Sequence, residues 1–262
     1  MIDEKDLLQE KREFFDVQAK FIQKKFEKRR INFYPCFDKT EAQQTIRKII
    51  SDSISQDSEM KEIAFSDSVT LHQLDIYDVV EKLANEKKLI VNNPFERFED
   101  GKLKAYGKQS EGKLNIPKEE YIKLQKKWLN QLRSTLMADF LIIGANAITQ
   151  NGDIVSTDGA GNRVEGMILG PRKVIVAVGR NKLVSNVEQA IDRNRNTAAP
   201  LNYIRHNMKH HNRYNTPCLE TGKCSDCSHP RRACLNTVII SGSVEANKDR
   251  IHLLFVNEDL GL

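Results

Sequence analysis

Two short stretches constrain this chain more than any others: Phe140 to Ile148 and Lys173 to Val178 are runs of Ile, Val and Ala with almost no charge. Uncharged runs of this length are the mark of strands covered on both faces, as in the middle of a parallel sheet. Both are therefore expected at the centre of one. Between them lie a strand from Asp153 to Thr157 and the loop Asp158-Gly159-Ala160-Gly161-Asn162-Arg163, which opens a helix. Two glycines permit positive φ and close approach of backbone N–H groups, Asn162 is a good N-cap, and Arg163 adds a guanidinium. The N–H groups of the helix start together with Arg163 would form an anion site. The same turn reads equally well as a plain connection between strand and helix. Val164 stands where the third glycine of a dinucleotide fingerprint would be, and no acidic residue ends a strand about 20 residues on, so no NAD is expected.

The chain around this centre alternates strands and helices. Residues 3 to 30 carry Leu7, Leu8, Phe14, Phe15, Phe21, Ile22 and Phe26 at a spacing that predicts one apolar stripe on a long helix, with Asn32 to Phe37 breaking it. That stripe is expected to lie on the helix's own domain, a homodimer contact being the alternative use. Asp38 to Glu41 starts a second helix with Ala42, Ile46, Ile49 and Ile50 on its core face. Glu62 to Phe65 and Lys88 to Val91 are read as strands, and Ser66, Ser68 and Thr70 lie in the turn after the first, where they either cap a helix or face a ligand. Phe95 to Lys113 is charged and aperiodic, a surface excursion, and Pro117 to Met137 is a helix. After the second central strand, Gly179-Arg180-Asn181-Lys182 brings Asn181 and Lys182 within reach of an anion at Arg163. A long helix from about Asn186 continues past Pro200 to about His211, and Thr237 to Ser241 and Ile251 to Val256 close the chain as strands. The organisation is an N-terminal helix, residues 1–32, followed by an α/β domain over 33–262, with a mostly parallel sheet flanked by helices.

A separate signal stands at 217–234. Cys218, Cys224, Cys227 and Cys234 follow the pattern C-x5-C-x2-C-x6-C, four soft ligands in seventeen residues, whereas the fifth cysteine lies far away at Cys36. Such crowding points to a metal site, either structural zinc or an iron–sulfur cluster, and the other reading is free thiols in a loop. His206, His210, His211 and His229 gather nearby among Arg205, Lys209, Arg213, Lys223, Arg231 and Arg232, a solvated basic face or the contact for an acidic partner. The net charge of +5 is spread among acidic residues, so no nucleic acid is expected. No run reaches membrane-span length and the first residues are too charged for a secretory signal, so the chain is expected in the cytoplasm without membrane insertion.

The sequence resembles the LUD-domain family, named for the lactate-utilisation proteins B and C. The resemblance rests on GANAITQNGDIVSTDGAGNRV, GPRKVIVAVGRNKLV, AAPLN at Ala198 to Asn202, the four-cysteine insert and the closing VNEDLG, and it extends from about Phe33 to the end. It implies a fold similar to the sugar-phosphate isomerase and CoA-transferase group, and an association with oxidation of lactate to pyruvate. The family's protein B carries ferredoxin-type cysteine motifs beside its LUD domain, and this chain has none, so the resemblance is to a stand-alone LUD domain. Two functions are weighed: a component of organic-acid oxidation that binds a small anion, with redox partner proteins if the cysteines hold iron and sulfur, and a self-contained enzyme on a phosphorylated or CoA-linked substrate with structural zinc. Glu258, in the terminal Asn-Glu-Asp, is read either as a base facing the anion or as the ion-pair partner of Arg163.

Overall fold

The computed structural model describes residues 3–96, 104, 117–209 and 215–262. Most of the excursion expected over Phe95 to Lys113, together with His210, His211 and Arg213, lies outside them. The elements run α1 (Glu4–Lys28), β1 (Asn32–Cys36), α2 (Lys39–Gln56), β2 (Glu62–Phe65), α3 (Val69–Gln73), α4 (Ile76–Lys87), β3 (Ile90–Asn92), α5 (Lys118–Ser134), β4 (Phe140–Gly144), β5 (Ala147–Thr149) and β6 (Ile154–Asp158). They continue α6 (Asn162–Ile168), β7 (Lys173–Gly179), β8 (Leu183–Val184), α7 (Val187–Arg193), α8 (Ala199–Lys209), α9 (Cys218–Thr221), β9 (Asn236–Ile240) and β10 (Ile251–Val256).

The main sheet has six parallel strands in the order β1-β10-β7-β4-β2-β3. Strands β7 and β4 are central, and their side chains alternate between two apolar layers. Leu141, Ile143, Val174 and Val176 pack with Phe15, Ile22 and Phe26 of α1 and with Met167 of α6. Phe140, Ile142, Ile175 and Ala177 face the other way, against Ile46 and Ile50 of α2, Leu71 of α3, and Val80 and Leu83 of α4. A single slip in register would exchange the two layers, which fixes the sheet firmly.

Four expectations change here. The run 140–148 is not one strand: it leaves the main sheet after Gly144 and re-enters, as β5, a second sheet of order β8-β5-β6-β9. Strand β6 lies in that second sheet, antiparallel to β5 and β9, rather than in the parallel one. Asn32 to Cys36 is an edge strand rather than a break; the edge tolerates Pro35, which lacks the N–H an inner strand must donate. In α1 only Phe15, Ala19, Ile22 and Phe26 are buried, while Leu7, Leu8, Phe14 and Phe21 are exposed, because the sheet receives only one side of the stripe. Phe15 stacks on Phe255 at 5.5 Å and Phe26 on Phe33 at 5.4 Å, so α1 is a layer of the domain's core. Pro200 does not break the long helix. A π-helical stretch, Asn194–Ala198, absorbs the register change ahead of it.

Candidate functional site

The carboxyl ends of β2, β4 and β7 point to one side, and a cavity of about 500 Å³ opens there. Ser66, Ser68 and Thr70 leave β2; Gly144, Ala145 and Asn146 join β4 to β5; Lys182 follows β7; all line the cavity. Thr157, Asp158, Gly159, Asn162 and Arg163 reach it from the second sheet, through the turn between β6 and α6. Of the turns expected round an anion site, those at Ser66–Thr70 and Asp158–Arg163 line the cavity, whereas the turn after β7 contributes only Lys182. Helices close the other walls, with Asn194, Ala198, Asn202, Arg205 and His206 on one side and Tyr121 and Trp128 of α5, with Phe95, on another.

Gly161 (φ +96°) makes the turn into α6, but the helix N–H groups are not free for a ligand. The Asp158 carboxylate accepts from Gly161 N at 2.7 Å, Arg163 N at 3.0 Å and Val164 N at 3.2 Å, capping the helix itself. An anion at that helix start would have to displace a carboxylate already there. Gly161 and Asn181 lie outside the cavity wall, and Asn181 Oδ1 instead accepts from Leu260 N at 3.0 Å. Glu258 is likewise neither a base in the cavity nor the partner of Arg163. Its Oε1 accepts from Lys39 N at 2.9 Å, at the start of α2, which places it beyond the wall.

What remains is a set of buried polar groups. Arg163 donates through Nη2 to the Thr157 carbonyl, while its Nε is shielded from solvent and has no partner. Ser66 Oγ, Asn162 Nδ2, Asn194 Oδ1 and Arg205 Nε are also buried without a hydrogen-bond partner, and all five residues line this cavity. Leaving one such buried group unmet costs about 1–3 kcal/mol, and here four donors and one acceptor lie on residues of one wall. Lys182 is 4% exposed; its Nζ donates to Thr70 Oγ1 and to the Ala145 carbonyl, each at 3.0 Å. Burial first, then the neighbouring Arg193 and Arg163, push its pKa down to about 7. Arg193 stands behind the wall, its Nη1 on the Asn146 carbonyl at 2.7 Å. Asp67, 3.5 Å from Arg205, and the capping Asp158 are the lining side-chain carboxylates.

The LUD domain family model matches residues 19–256. This chain belongs to the LUD domain family. The match begins inside α1, in keeping with that helix being part of the LUD core. A solved structure of a DUF162 family protein from Deinococcus radiodurans is similar to it at 11% identity, covering 82% of this chain and 98% of that one with a TM-score of 0.26. No match was found among curated proteins. The segment AAPLN, which carried part of the resemblance to LUD domains, places Ala198, Ala199 and Asn202 in the cavity wall.

Asn146, Asn194 and Arg205 are among the wall residues that the sequence did not single out for the cavity. Asn194 begins the π-helical stretch, a distortion often found at functional sites, but its trace in sequence is only a proline six residues on. Cys218, Cys224, Cys227 and Cys234 all line a second, smaller cavity beside the first, and Cys234 lines both. None is in a disulfide. Among the described residues no group of three or more His, Cys, Asp or Glu side chains is placed to hold a metal ion. No described helix is long and apolar enough to cross a membrane.

Proposed function

We propose that this LUD domain binds an organic anion in the cavity at its strand ends and serves lactate or related organic-acid utilisation. The observation that carries the reading is that Ser66, Asn162, Arg163 and Arg205, each with a buried donor that has no partner, all line one cavity. Donors in this number match the lone pairs of a carboxylate or phosphate, and Arg163 and Arg205 bring the charge that such a group needs. Asn194 Oδ1, an unmet acceptor on the same wall, suits a hydroxyl next to the acid group. Lys182 adds charge that depends on pH, because its pKa of about 7 lies in the working range.

The size of the space favours a second reading. A cavity of about 500 Å³ with Phe95, Tyr121 and Trp128 on one wall is in the range that encloses a drug-sized ligand, and a three-carbon acid would fill a small part of it. A phosphorylated or CoA-linked compound would put its anionic end on the arginines and its bulk against the aromatic wall. Calorimetric titration with lactate, pyruvate, a sugar phosphate and CoA separates the two. Binding of a small acid alone supports the first reading, and binding confined to the larger anions supports the second. Arg163→Ala should weaken whichever anion binds by roughly 1.5–3 kcal/mol, the range for hydrogen bonds to charged groups. No binding by any of the four, or equal affinity of wild type and variant, would contradict both.

A further inference from the structure

We propose that the Lys182 amine is a covalent site, a nucleophile that forms an imine with the carbonyl carbon of an organic anion bound in the cavity at the strand ends. The inference rests on the anion-binding reading of that cavity and adds a substrate class to it: a carboxylate or phosphate that also carries an aldehyde or ketone. Lys182 is the one buried lysine among the described residues. It lines the cavity where the chain leaves β7, and the residues around its Nζ, namely Thr70, Ala145 and Gly261, line the same space. Thr70 Oγ1 and the Ala145 carbonyl are neutral acceptors, each 3.0 Å from Nζ. Two such bonds use the two hydrogens of a neutral amine and leave its lone pair uncommitted, whereas an ammonium has a third hydrogen to place. A Cβ at Gly261 would lie 2.7 Å from Nζ and 2.5 Å from Thr70 Oγ1. Glycine at that position, φ +69°, keeps a side chain off this flank of the amine.

Burial and the charges of Arg193 and Arg163, which together bring Lys182 to a pKa of about 7, supply the other requirement of a nucleophile, an unprotonated nitrogen at neutral pH. An ordinary lysine offers the free amine in roughly one molecule in a thousand or fewer at pH 7, and Lys182 offers it in about half. Desolvation beside a second cation is a recognised way for lysine to become reactive towards carbonyls. Arg163 is near enough to depress the amine, so an acid group held by that guanidinium keeps the remainder of a small anion close to Nζ. In the step itself the amine lone pair forms the C–N bond while the carbonyl π pair moves to oxygen. Both amine hydrogens then leave with that oxygen as water, giving C=N, and addition of water reverses the sequence. No oxidant, reductant or further reactant is consumed.

Reductive trapping on the full chain tests the inference. The protein is incubated at neutral pH with cyanoborohydride and either pyruvate or, as a larger phosphorylated aldehyde, pyridoxal phosphate; reduction fixes any imine as a secondary amine for peptide mass spectrometry. The expected product is one adduct per chain, on Lys182, formed at least about tenfold faster than on any other lysine. The matching anion without a carbonyl should suppress it, lactate for pyruvate and pyridoxine phosphate for pyridoxal phosphate. Lys182→Arg keeps a cation in the wall without a nucleophilic amine, and Lys182→Met removes the buried charge; both should lose the adduct with unchanged far-UV circular dichroism. Adducts scattered over surface lysines, an adduct that persists in Lys182→Met, or none on Lys182 from either probe would overturn the inference. Calorimetric binding of an anion without an adduct removes the covalent step and leaves the anion-binding reading standing, whereas neither binding nor adduct ends both.

Discussion

The cavity at the strand ends and the cysteine-rich insert stand side by side, sharing Cys234, and they are built on opposite principles. The cavity walls are the ends of buried strands and of helices packed on them, so polar groups such as Arg163 Nε and Ser66 Oγ are held in place whether or not anything occupies the space. Packing elsewhere offsets the cost of leaving them unmet, as expected of a functional site on a stable scaffold. The insert has no such scaffold. Apart from the single turn of α9 and strand β9, the segment from Thr216 to Ile240 has no regular structure, and its order comes from local turns and the bonds of Arg232 and Tyr203.

The two regions meet at Gly159. A Cβ there would lie 2.9 Å from Ala233 Cβ and 3.0 Å from its Cα and carbonyl oxygen, and the same contact is fastened by Leu235 N to the Asp158 carbonyl at 3.1 Å and by Asn236 Nδ2 to the Gly159 carbonyl at 3.2 Å. The insert and the turn between β6 and α6 are therefore mechanically joined, although their frameworks differ.

The largest expected contrast is in stability. Phe255→Ala removes a ring stacked on Phe15 and packed against Phe33, and should cost about 3–5 kcal/mol by denaturant unfolding. Cys227→Ser should cost under about 1 kcal/mol, since the side chain is only half-buried. Equal losses would show that the insert is part of the core.

Next is Lys182→Met. In the unfolded chain this lysine titrates near 10.5, and in the folded one near 7, so the unfolded state binds the extra proton between these values and wild-type stability falls as pH drops from 10.5 to 7. Removing the amine should stabilise the protein by roughly 1–3 kcal/mol at neutral pH, a gain that shrinks towards pH 10.5, while weakening the bound anion. A variant less stable than wild type at pH 7 would mean that the bonds to Thr70 and Ala145 outweigh burial.

The same titration predicts that wild-type anion affinity falls above about pH 7, by up to about tenfold per pH unit, and that Lys182→Met flattens the profile. Calorimetry across that range checks it. The last, aimed at the junction, is Gly159→Ala. The added methyl meets Ala233 backbone and should cost about 1–3 kcal/mol, with a parallel fall in anion affinity. A loss in one without the other would separate the two regions.

Much of this was legible in the sequence, for definite physical reasons. Strands β4 and β7 are buried on both faces, so their composition alone placed them at the centre, and turns leaving such strands had to collect at one edge. The transfer of the chain between sheets at Ala145 and Asn146 was not legible, because both sheets demand the same apolar residues and the run from Phe140 to Ile148 has no visible seam. Asp158 as the cap of α6 was hidden by Asn162, an equally good candidate four residues on. Arg205, Asn194 and Trp128 reach the cavity from helices far from the turns in sequence, and only the fold brings them there. Glu258 was misplaced because its nearness to the strand ends does not reveal which side of the wall it faces.

The central claim is that the unpartnered donors of the cavity belong to a bound organic anion. A crystal structure of the protein grown with the tightest-binding anion of the titration series decides it most directly. The account predicts the anionic group within about 3 Å of Arg163 Nε and of at least one of Asn162 Nδ2, Ser66 Oγ and Arg205 Nε. An anion bound elsewhere on the chain, with these four atoms meeting only water, would contradict it.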